Sequence, residues 1–122
     1  MISDTLRRIS AAALAVVGVI HLALAPEYFS EQAYIGVLFV LGGLALAVLA
    51  VRLWMRDDAP AWMVGALIMA GMGIGFVLSR TIGLPGFKES EWELSGVICL
   101  LLEAGFVMVA ARALAPPRPV TA

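Results

Sequence analysis

Polar residues are rare along this chain and fall in clusters, leaving long apolar runs from Ile9 to Pro26, Ala33 to Val51 and Ala59 to Ser79, and a fourth from Glu93 to Arg112 broken only by Glu103. At about 1.5 Å of rise per residue, such runs match the roughly 20 residues a helix needs to cross about 30 Å of hydrocarbon. The pattern predicts four transmembrane helices, over about 8–26, 33–54, 60–82 and 91–112, followed by a flexible proline-rich tail over 113–122. Boundary residues support the division. Ser30 is placed to cap the second helix, while Arg52 and Arg56 suit its C-terminus. Asp57, Asp58 and Pro60 suit the start of the third helix, because proline is tolerated in a first turn. Gly83 is a candidate left-handed terminator, and Leu84-Pro85-Gly86 can form a type II turn with proline and glycine at its centre. Ser90 and Glu93 have the spacing of a capping box opening the fourth helix. The segment from Pro26 to Tyr34 reads as lying along the interface, with Tyr28 and Phe29 dipping inward.

Composition removes the soluble alternative. With 62% hydrophobic and 14% charged residues, the chain lacks the charged outer stripe that each helix of a water-soluble bundle requires. The expected fold is therefore all-α: a single domain over 1–122, an integral membrane antiparallel four-helix bundle. Charge sets the orientation. Arg7, Arg8, Arg52, Arg56, Arg112 and Arg118 share the side of both termini and the middle loop, and only Arg80 and Lys88 fall opposite. The positive-inside rule then makes both termini cytoplasmic, in a multi-pass protein of the inner (plasma) membrane. The outer side carries Glu27, Glu31, Glu89, Glu91 and Glu93, read as solvated loop acids. Arg7-Arg8 ahead of an apolar run ending in Ala23-Leu24-Ala25 also has the look of a signal peptide, but it is read here as the first span.

Small residues mark where helices can approach, since lipid supplies no hydrophobic drive for their association. Gly71 and Gly75 of the third span, Gly36 and Gly43 of the second, Gly18 of the first and Gly96 of the fourth are the expected packing seams, within one bundle or between copies. The methionines read as gap-filling or lipid-facing residues. One histidine and one cysteine leave no basis for a metal site, and Cys99 reads as plain core. No phosphate loop, dinucleotide fingerprint or serine elbow is present, no basic patch suits a nucleic acid, and no cofactor is predicted.

The chemistry that remains lies in a few polar residues within the spans. Glu103 is about 16 Å from the Trp92 end of its helix, near the bilayer midplane. An acid there costs on the order of 3 kcal/mol on insertion scales, so it must face protein or water and carry a proton or meet a cation. His21 is about 8 Å below the end of the first span. Arg80 is near the end of the third, where it can snorkel outward or turn into the bundle. These three, helped by Ser79, Thr81 and Tyr34, are the expected ligand-binding or proton-relay network, although buried polar pairs of this kind also serve as structural anchors. The leading function is the binding or translocation of a small lipophilic or cationic ligand, or of protons. The alternatives are an accessory or scaffold subunit of a larger membrane complex or homo-oligomer, and then an enzyme acting on a lipid or quinone, for which no nucleophile is evident. Membrane lipid is the one partner the composition requires.

Ser79-Arg80-Thr81-Ile82-Gly83-Leu84-Pro85-Gly86, followed by Trp92 and Glu103, resembles a loop of small, uncharacterised four-helix membrane proteins of bacteria. His21-Leu22 ahead of Pro26-Glu27, and Tyr34-Ile35-Gly36, are similar to them as well. The resemblance covers most of the chain and implies roles for His21, Arg80, Pro85 and Glu103 without implying a reaction.

Overall fold

A computed structural model describes residues 2–116. Each apolar run forms one helix: α1 Asp4–Glu31, α2 Ala33–Met55, α3 Ala59–Arg80 and α4 Leu94–Leu114. All four are long and apolar enough to cross a membrane, and no strand occurs among the described residues. The first two residues of the expected tail extend α4, and most of that tail, including Arg118, lies outside the described residues.

The first helix differs most from its expected span. It begins at Asp4, where the Ser3 hydroxyl accepts from the Leu6 N–H at 3.1 Å, and it runs through Pro26 to Glu31. The segment after Pro26 is therefore helix rather than an interfacial stretch. Proline inside a helix forgoes one backbone bond, at about 3 kcal/mol, and the added turns recover contacts by seating Tyr28 against Phe39 and Phe87, with ring centroids 4.4 and 5.6 Å away. Ser30 does not cap α2. Its hydroxyl donates to the Glu27 carbonyl within α1 at 2.6 Å, and a single extended residue, Gln32, turns the chain into α2.

The middle connection follows the expected pattern, with Asp58 as N-cap and Pro60 in the first turn of α3. The Asp58 carboxylate, however, accepts from Arg52 Nε at 2.7 Å instead of from its own helix. After α3, Gly83 takes φ +93° and donates its N–H to the Leu78 carbonyl at 2.7 Å. The turn expected at Pro85-Gly86 is present: Leu84 and Phe87 exchange backbone hydrogen bonds and Gly86 has φ +67°, a value that favours glycine. The Ser90–Glu93 capping box does not form. Glu93 is itself the N-cap of α4, and its carboxylate is drawn to Arg80 instead.

Helix α1 packs chiefly on α2, and α3 chiefly on α4. The tightest crossing is at Gly18 and Gly43, where a Cβ on Gly43 would stand 2.9 Å from the Gly18 carbonyl oxygen. Side chains from all four helices then fill one half of the molecule, with Leu14, Leu46, Leu53, Trp62 and Met69 fully enclosed. Trp62 lies against Phe106 at 5.5 Å. Arg7 closes this half by donating to the carbonyls of Leu53 and Trp54 at 2.6 and 2.9 Å. The other expected seams behave differently. Gly36 and Gly96 pack beneath the rings of Phe29 and Phe76, whereas Gly71 and Gly75 face open space and are not seams between the packed helices. Their α3 face instead borders a cavity.

Candidate functional site

The functional candidates cluster in the half away from Arg7. Arg80 is the last residue of α3, and packing draws its guanidinium inward rather than outward: the side chain is 2% exposed. A buried guanidinium is stable only if its donors are satisfied. Nε donates to the Glu91 carbonyl at 3.0 Å, and one terminal nitrogen donates to the Ser79 hydroxyl at 2.7 Å. The other donates to the Tyr28 hydroxyl at 3.2 Å and to both Glu93 oxygens at 2.9 Å. The plane also stacks over Phe76, 4.4 Å from the ring centre. This cluster ties the end of α1, the end of α3 and the start of α4 together.

His21, one to two turns deeper on α1, is buried and bonds to its own helix: Nδ1 lies 2.8 Å from the Val17 carbonyl. Its ring rests on Phe39 at 4.6 Å. Glu103, on α4, is 3% exposed. The absence of a side chain at Gly73 gives it room, since a Cβ there would stand 3.4 Å from Glu103 Oε1. Among the described residues the Glu103 carboxyl forms no hydrogen bond or ion pair. No fully enclosed polar side-chain atom is left without a partner, so the Glu103 oxygens open onto free space.

Glu103 borders two hollows, a more open groove of about 480 Å³ between α3 and α4 that also takes in Gly73, and a cavity of about 530 Å³ bordered by all four helices. His21, Tyr28, Ser79, Arg80, Glu93 and Glu103 supply most of its polarity, and α2 supplies an apolar wall including Leu38, Leu41 and Ala45. Helices α2 and α3 touch little, and Gly71 and Gly75 widen the gap between them, so the cavity opens sideways there. His21, Arg80 and Glu103 thus border one cavity without bonding to one another, and Ser79 joins them.

Two expected helpers lie elsewhere. The Thr81 hydroxyl is exposed and donates to the Val77 carbonyl at 2.7 Å. Tyr34 donates to the Pro85 carbonyl, tying α2 to the turn and standing outside the cavity, because α1 runs past Pro26 and puts Tyr28 in the inner position. Tyr28 and Glu93 are the site residues the sequence reading missed. Tyr28 stands seven residues after His21 on the same helical face, a signal hidden by treating Pro26 as a helix end. Among the described residues no group of three His, Cys, Asp or Glu side chains could hold a metal ion. No family model, no curated protein and no solved structure matches the chain.

Proposed function

We propose that the chain is an integral protein of the plasma membrane, an antiparallel four-helix bundle with both termini cytoplasmic, that binds a small lipophilic or cationic ligand in the cavity beside Glu103. One observation carries the reading: a carboxyl group with no protein partner borders a cavity walled by helices of membrane-spanning length. An ionisable group within a membrane is expensive, and its usual use is to meet a ligand, an ion or a proton. The apolar α2 wall suits a lipophilic body. The positive-inside distribution of arginines supports the orientation, in which the Arg80 cluster would lie at the outer end of the cavity.

The test is ligand binding to the purified protein, followed by native mass spectrometry against a panel of small neutral and cationic lipophiles, over a pH series running from acid to alkaline. A carboxylate attracts a cation only when ionised. Cation binding should therefore strengthen as pH rises through the titration of Glu103, and Glu103→Gln should remove that dependence. The other titratable groups on the cavity are His21 and Tyr28 from α1, Arg80 from α3, and Glu93 and Cys99 from α4; α2 contributes none. Failure of every lipophile to bind, or binding indifferent to both pH and the substitution, would overturn the proposal.

A further inference from the structure

From the donors and acceptors left over in the cavity, we infer that its ligand is a lipophilic amine, a primary or secondary ammonium on an apolar body, that reaches Glu103 sideways between α2 and α3. This rests on the reading of the cavity as a binding site and narrows it to a ligand class.

The one full positive charge on the cavity wall, Arg80, is already neutralised by Glu93, and each of its nitrogens donates to a protein oxygen. The Ser79 hydroxyl is also committed, accepting from Arg80 and donating to the Phe76 carbonyl at 2.7 Å. At His21 a carbonyl sits 2.8 Å from Nδ1. A carbonyl only accepts, so Nδ1 carries the hydrogen and Nε2 of the neutral ring is an acceptor. Glu103 brings two further acceptor oxygens and no partner. The hydroxyls of Tyr28 and Ser95 can give or accept and do not decide the sign. With Glu103 ionised and the His21 ring neutral, the cavity is thus short of one positive charge and of hydrogen-bond donors, both of which an ammonium supplies.

A quaternary ammonium would supply the charge without the donors. It would also want an open aromatic face, yet the Phe76 ring is covered by Arg80, and Phe39 and Tyr28 stack on each other. The sideways route follows from the gap at Gly71 and Gly75, where an added Cβ would meet nothing within 4 Å. Leu38 and Leu41 on the opposite lip are 58% and 60% exposed, an apolar threshold facing the side of the bundle.

The experiment compares decylamine, decanol and decyltrimethylammonium as probes of the full-length protein in zwitterionic lipid nanodiscs, measured by calorimetry against empty discs. Decylamine should bind at least about tenfold tighter than decanol, the scale of a charge-assisted hydrogen bond. Glu103→Gln should erase that preference, bringing decylamine to within about twofold of decanol on the same variant. Gly75→Leu, which adds bulk where space is open, should weaken amine and alcohol alike with helicity retained; it carries the test if the Gln variant does not fold. Equal binding of decanol and decylamine would overturn the amine while leaving the cavity a lipophile site. Equal binding of decyltrimethylammonium would overturn the requirement for N–H donors. Binding of none of the three would overturn this inference and the proposed function together.

Discussion

At one end of α1, Arg7 gives its guanidinium to the carbonyls of Leu53 and Trp54 in the last turns of α2; at the other end, Arg80 gives its guanidinium to Glu93, Tyr28, Ser79 and a loop carbonyl. The first arrangement uses a helix C-terminus, whose unpaired carbonyls and dipole already favour a cation. Asp4 adds little there, since it is 3.4 Å away and its side chain is 87% exposed. The second recruits a carboxylate and a tyrosine, and it borders a hollow. Two buried arginines therefore finish two unlike halves of one bundle. Beside Arg7 the helices interlock around Trp62. Beside Arg80 they separate, and the charge balance there is settled among Arg80 and Glu93 without involving Glu103. The acid left over, with no protein partner, is what supports the proposed reading of the open half as a site.

Substitutions can break this contrast. Trp62→Ala should be the most damaging, destabilising the protein by roughly 3 kcal/mol in a detergent denaturation series. That is the low end of the range for large core aromatics, because an unfolded state solvated by lipid recovers less transfer energy while the cavity term persists. A loss well under 1 kcal/mol would show that the Arg7 half is not the packed half. Gly43→Ala comes next. Its Cβ would press on the Gly18 carbonyl, so a loss of about 1–3 kcal/mol is expected from overpacking, and unchanged stability would mean that α1 and α2 sit further apart. Gly75→Ala has the smallest effect and the opposite sign. Nothing crowds the new methyl group, so it should gain up to about 1 kcal/mol of helix propensity, and a loss matching that of Gly43→Ala would mean that the cavity is closed in solution.

The four helices were legible because apolar runs long enough to cross a bilayer leave few alternatives, and Glu103 and His21 stood out as polar residues within them. Gly18 and Gly43 were legible as a seam because close approach at a helix crossing requires small residues. What failed were local rules that distant partners overrode. Pro26 reads as a stop, but the contacts of Tyr28 with Phe39, Phe87 and Arg80 hold the helix beyond it. Ser90 and Glu93 read as a capping box, but a buried guanidinium competes more strongly for the carboxylate than a solvated helix N-terminus does. Gly71 and Gly75 have the same spacing as a packed ridge, and spacing alone does not say whether a neighbour or an empty space lies opposite. His21, Arg80 and Glu103, expected to form a direct network, instead border one cavity without bonding to one another, and of the expected helpers Ser79 joins them through its bond to Arg80.

The length of α1 has a consequence for the membrane itself. Its 28 residues extend about 42 Å at the usual rise, while the 21 of α4 extend about 32 Å, close to a hydrocarbon thickness of about 30 Å. The excess is not apolar: the uncharged run of α1 from Ile9 to Pro26 covers about 27 Å, so the turns at its two ends, which bond to α2 through Arg7 and to Arg80 through Tyr28, would reach past the hydrocarbon. In the bilayer proposed above those end turns would hold the Arg80 cluster at headgroup level, so that water reaches the mouth of the cavity while its floor stays among the acyl chains.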